Sequence, residues 1–82
     1  MKLTEKEDGV KVLDLQGYSD YVLQLTINNF LKKMELGDEA EIVFDDPDSY
    51  EAIEIALRMQ GYTILDNTAG DGTYRLRLRR KR

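Results

Sequence analysis

Apolar and polar positions change rhythm several times along the chain, and each change marks an element. "VKVLDL" (Val10 to Leu15) is a dense β-forming run and predicts a first strand, which Gly17 ends. From Asp20 to Met34 the apolar positions Leu23, Ile27, Phe30, Leu31 and Met34 recur at the spacing of one helix face. "ELGDE" stops that helix, with Gly37 as its C-terminal cap. "AEIVF" (Ala40 to Phe44) predicts a second strand. "DDPDS" then opens a second helix, "SYEAIEIALRMQ", in which Asp48 and Glu51 have capping-box spacing and Gly61 is the stop. "YTILD" is a third strand, "NTAGDG" a turn, and "TYRLRLR" a fourth strand of strict alternation. There Tyr74, Leu76 and Leu78 face one way, and Arg75, Arg77 and Arg79 the other. The preceding "KLTEKEDG" allows either a hairpin strand turning at Asp8-Gly9 or a frayed N-terminus over residues 1–9.

The predicted order is β-α-β-α-β-β. Right-handed crossovers place both helices on one face of the sheet. The expected fold is α/β (α+β): a two-layer sandwich with a mixed four-stranded sheet and two helices on one face. Residues 1–82 form a single domain, with 80–82 as a basic tail. Three arginines on one side of the last strand leave the other sheet face to solvent or a partner.

Composition narrows the chemistry. The chain has no cysteine and no histidine, which excludes disulfides, thiolate chemistry, the usual zinc sites and Ser-His catalysis together. No cofactor or metal is expected. No convergent acid–base pair can be placed from spacing, so the enzyme reading is the weakest. No apolar run reaches the length of a membrane span, and "MKLTEKEDG" lacks the apolar core of a signal peptide, so cytoplasm is the expected location. The net charge of −4 hides an asymmetry. "RLRLRRKR" carries six of the twelve basic side chains, leaving six basic against sixteen acidic groups in residues 1–74.

The element order, with "LDLQG" before the first helix, "LGDEAEIVFDDPDS" after it and "QGYTIL" on the return, resembles the SirA/TusA/YedF-like sulfur-carrier family. That family's pattern is Leu-Asp-x-x-Gly, a Cys-Pro-x-Pro motif at the start of the first helix, a later Gly, a strand, and Asp-Asp-Pro before the second helix. Leu13, Asp14, Gly17, Gly37, Asp45, Asp46 and Pro47 match it in order. The resemblance implies a sulfur-relay context with protein partners. It also implies that the family's persulfide-carrying cysteine is replaced, because Cys-Pro-x-Pro falls on Asp20-Tyr21-Val22-Leu23. A helix N-terminus favours an anion and so activates a thiol. A carboxylate there is an anion that cannot form a persulfide.

Each candidate site has a plain reading beside a sharper one. Asp20 is expected as a helix N-cap; the alternative is a permanent mimic of the charged persulfide. Asp45, Asp46 and Asp48 read as a turn and helix start rather than a hard-cation site. "DNTAGDGT" lacks the acidic final ligand of a calcium loop and reads as a hairpin turn. Tyr21, Val22, Leu25, Ile55 and Met59 lie outside the narrow stripe that a one-sided helix needs. They are either scattered exposed residues or a docking surface for a sulfur-relay or transporter component, or for a second copy in a homodimer. Arg75, Arg77 and Arg79 are expected to pair with Glu39 and Glu41 on a neighbouring strand. The alternative is that they act with Arg80, Lys81 and Arg82 as a nucleic-acid contact, against which stand the acidic body and the lack of aromatic stacking groups.

Overall fold

The computed structural model describes residues 2–81. Its elements are β1 (Lys2–Glu5), β2 (Lys11–Asp14), α1 (Asp20–Leu31), β3 (Glu39–Phe44), a 3-10 turn (Pro47–Ser49), α2 (Tyr50–Met59), β4 (Tyr62–Gly70) and β5 (Thr73–Arg80). The sheet has five strands, not the expected four, in the order β1-β2-β3-β5-β4. The added strand is the N-terminal hairpin, set by its turn. Asp8 Oδ1 accepts the Val10 N–H, the Lys6 N–H donates to the Val10 carbonyl, and Gly9 takes φ 84°. Arg82 lies outside the described residues, as does Met1 at the start of the N-terminal segment.

β2 and β3 pair in parallel across α1. β3 and β4 also run in the same direction, with β5 inserted antiparallel between them. The result is a split βαβ unit in two layers, as the predicted order implied. Leu13 and Leu15, Ile42 and Phe44, and Leu76 and Leu78 point from the sheet toward Leu23, Ile27 and Leu31 of α1 and Ile53 and Leu57 of α2. All of these are essentially buried, and they form one contiguous core. Phe44, Tyr50 and Tyr74 close it at one end, with ring centroids 4.7 Å apart for Tyr50–Tyr74 and 5.5 Å for Phe44–Tyr74.

Three element ends differ from expectation. α1 stops at Leu31 rather than Met34; the Lys33 and Met34 N–H groups close short-range turns on the Phe30 and Leu31 carbonyls. Gly37 is therefore not the cap of α1. Its N–H donates to the Arg80 carbonyl, and Arg80 N–H donates to the Asp38 carbonyl, so the loop is tied to the end of β5. The start of α2 is not an Asp48–Glu51 capping box. Pro47 begins a 3-10 turn with Asp46 at its N-cap position, where the Asp46 carbonyl accepts the Ser49 N–H and its carboxylate accepts the Ser49 hydroxyl. The turn between the last two strands is two residues, Asp71-Gly72, rather than "NTAGDG". Both of its residues have positive φ, 55° and 75°, which suits the type I′ hairpin that Asp-Gly favours. β4 accordingly extends to Gly70, with a bulge at Leu65.

Candidate functional site

The C-terminal ends of the parallel strands β2 and β3 meet the N-termini of both helices at one pole of the molecule, as the parallel crossover requires. The chain leaves β2 with the Leu15 N–H on the Val43 carbonyl and turns through Gly17 at φ 88°. Two carboxylates from the loop after β3 hold this turn. Asp45 Oδ1 accepts the Gly17 N–H at 2.9 Å, and Asp46 Oδ2 accepts the Asp20 N–H at 3.1 Å and the Ser49 hydroxyl at 2.7 Å. The Asp46 carboxyl is held below its ordinary range by the Ser49 hydroxyl first and then by the Asp20 N–H. "DDP" is thus more than a turn: Asp45 and Asp46 clamp the start of α1. The signal for this was the position of the Asp-Asp-Pro match directly after the neighbouring parallel strand. Among the described residues no group of three or more Asp or Glu side chains is placed to hold a metal ion.

Asp20 departs from the expected N-cap. Ser19 occupies that position, with extended backbone (φ −145°, ψ 164°), and its carbonyl accepts the Leu23 N–H. No side chain caps α1. Asp20 is the first helical residue and takes φ +50°, a left-handed conformation that Asp tolerates better than most residues. With its N–H turned to Asp46, its carboxylate stands exposed at the pole.

Beside it, Tyr21 is 73% exposed and Val22 57%, and Leu25 follows one turn on, also exposed. Leu25 borders a shallow depression with Asn28, Gln60 and Tyr62, on the side of α1 that faces α2. Ile55 and Met59 are exposed too. Ile55, however, is two residues from the buried Ile53 and so nearly opposite it on α2. Tyr21, Val22 and Asp20 share the pole; Ile55 and Met59 belong to the outer surface of α2.

The arginines of β5 lie on the open sheet face, as the alternation predicted. Arg77 reaches Glu39 at 2.9 Å and Asp8 at 3.5 Å, and Arg79 reaches Glu39 at 3.1 Å. Arg75 lies 3.2 Å from Glu41 Oε2, and Lys6 lies 2.8 Å from the same atom. Both cations thus converge on a single, buried carboxylate oxygen. Burial pushes the Glu41 carboxyl up, but Lys6 and Arg75 outweigh it and leave the group below its ordinary range. Arg80 is drawn away from this cluster, its guanidinium donating to the Met34 carbonyl, while Lys81 is exposed at the end of β5.

No helix among the described residues is long and apolar enough to cross a membrane. A search of curated proteins returned no match. The family model described as Sulfurtransferase TusA matches residues 11–80, from the start of β2 to the end of β5 and through the whole of the Asp20 pole. By that match and by its fold, the chain belongs to the sulfurtransferase TusA family and is a sulfur-relay-related protein.

Proposed function

We propose that this chain is a non-catalytic member of its family, an interaction or regulatory module of a sulfur relay that docks a protein partner through the N-terminal end of α1. The observation that carries the reading is the pole itself. An exposed carboxylate, Asp20, stands where the resemblance places the transferable sulfur, in a chain without a single cysteine. The frame around it is kept. Asp45 and Asp46 bind the backbone of the turn, and Tyr21 and Val22 remain open to a partner.

The test is site-specific photo-crosslinking in cells from an aryl-ketone amino acid placed at position 22. The reading expects adducts with a sulfur-relay component, such as a sulfurtransferase, a DsrE-like subunit or a sulfur-compound transporter, and their loss in a Tyr21→Ala background. No adduct with such a component, or the same adducts without Tyr21, would overturn it. Asp20 has a separate test within the same reading. A persulfide mimic requires that Asp20→Ser weaken partner capture while Asp20→Glu does not; equal capture by all three forms leaves Asp20 as an incidental surface charge. A homodimer through Tyr21 and Leu25 is a further form of the proposal, checked by sedimentation of wild type and Leu25→Ser over a wide concentration range.

A further inference from the structure

At the pole opposite Asp20, where β2 and β3 begin, the molecule carries a cleft of about 780 Å³ that the sulfur-relay reading does not use. Its origin is a mismatch between the layers. β1 adds a fifth strand to the sheet, but α1 does not reach over it. Leu3 pairs in register with Leu13 and shares its face, yet Leu13 is 1% exposed and Leu3 is 53% exposed. Val10, Phe30, Met34 and Ala40 complete the apolar lining.

The charged groups at the rim are unequally engaged. Asp8 and Glu39 are ion-paired with Arg77. Asp38 accepts the Glu35 N–H, which leaves its charge uncompensated. Against that single carboxylate stand Lys11 and Lys33, neither of which forms an ion pair among the described residues. Glu5, across the ladder from Lys11, does not reach it. In a chain of net charge −4, a cleft of mixed polar and apolar lining whose unpaired charge is on balance positive favours an anionic ligand. Its volume lies in the range of small-molecule sites, and a few polar groups over an apolar floor are what orient a ligand there.

We infer that this cleft binds a small amphipathic anion, a carboxylate on a short alkyl or aryl body. The apolar body lies along Leu3, Phe30 and Met34, and the carboxylate sits between Lys11 and Lys33. The site is independent of the Asp20 pole, so its failure would leave the docking reading untouched.

The experiment is an amide ¹H–¹⁵N titration of the full chain with monomeric decanoate, decyltrimethylammonium and phosphatidylglycerol vesicles as separate arms. Decanoate is expected to give saturable shifts concentrated on residues 3, 11, 30, 33 and 34, and decyltrimethylammonium none there. Lys11→Gln with Lys33→Gln should weaken decanoate binding about fivefold, because both exposed ammonium groups that would pair with the carboxylate are removed. Leu3→Asn, at an exposed edge position that the fold tolerates, should weaken it as well. Shifts scattered over the surface, equal binding of the cation, an unchanged affinity in the double variant, or association with vesicles alone would each overturn the inference.

Discussion

Glu41 offers the sharpest test of the energetics of the open sheet face. Its side chain is 6% exposed, whereas its partners Lys6 and Arg75 are 42% and 48% exposed. The three charges are therefore not equivalent. A cation that loses Glu41 returns to water at little cost; a carboxylate that loses both cations stays buried and unpaired. Removing one cation should cost no more than an exposed ion pair, about 0.5–1 kcal/mol, because the other still compensates the carboxylate. Removing both, as Lys6→Met with Arg75→Met, strands the charge and should cost about 2–4 kcal/mol, somewhat below the range for fully buried pairs because water enters from the open side. Glu41→Leu removes the buried charge and adds apolar contact beside Val12, its register partner, and the buried Val43 on the same face, so it should fall within about 1 kcal/mol of wild type. The effect has a pH signature. In wild type the Glu41 carboxyl is depressed, so its contribution is present above the ordinary value of 4.5 and lost as pH falls through the lower folded value. In the double variant burial acts alone and raises that carboxyl, so the penalty is fullest at pH 7 and shrinks as the group protonates. Urea unfolding of the four proteins at pH 7 and near pH 4 measures both. A Glu41→Leu protein less stable than the double variant, or a double-variant deficit that does not shrink in acid, would refute the reasoning.

Other expectations follow from the pole and the core. At position 20, Val should destabilise by about 1–3 kcal/mol because a β-branched residue resists φ +50°, while Gly should be near neutral and Asn should cost only the helix-terminal charge, about 0.3–1 kcal/mol; thermal unfolding monitored by circular dichroism ranks the three. Asp46→Ala should free the turn at Gly17–Asp20, seen as faster hydrogen exchange at the Asp20 amide. Its stability deficit should hold from pH 7 to 5 and shrink below about pH 4, since a depressed carboxylate contributes above its ordinary value of 3.8 and loses that contribution as pH falls through the lower folded value. Tyr74→Leu keeps a partly buried apolar group but removes the ring contacts to Phe44 and Tyr50, for a loss of about 1–2 kcal/mol in chemical denaturation.

Periodicity carried most of the fold. Both helices, the four principal strands and the two faces of β5 were legible because burial on one side leaves a pattern of 3.6 or 2 residues. What was not legible depended on contacts between distant segments. The strand count turned on whether "KLTEKEDG" pairs with β2, and a four-residue strand with every side chain exposed has no hydrophobic pattern to declare it. The Asp71-Gly72 turn was legible by the same rule applied at Asp8-Gly9, but the polar run "DNTAG" hid the extension of β4. The cap of α1 differs from expectation for a physical reason. Residue type favours Asp20, but Ser19 has the extended backbone of the N-cap, and Asp20 lies one residue inside the helix at φ +50° with its N–H on the Asp46 carboxylate, a contact between distant segments. The pairing of Arg75, Arg77 and Arg79 with Glu39 and Glu41 was foreseeable because alternation put them on one face. The participation of Asp8 and Lys6 was not, since it depends on the hairpin.

The clamp also makes the shape of the pole independent of the side chain at position 20. Asp45 and Asp46 bind the N–H groups of Gly17 and Asp20, not any side chain at position 20. The turn therefore depends on residue 20 only through its tolerance of φ +50°, which Asp, Asn and Gly satisfy. The two carboxylates come from the loop that directly follows β3, the strand next to β2 in the sheet, so the turn is fixed by the sheet register rather than by local propensity. A pole built this way keeps its backbone while its chemistry is exchanged. Under the proposed docking role, Tyr21 and Val22, which are exposed and which nothing in the fold requires to be apolar, can then change independently of what stands beside them at Asp20.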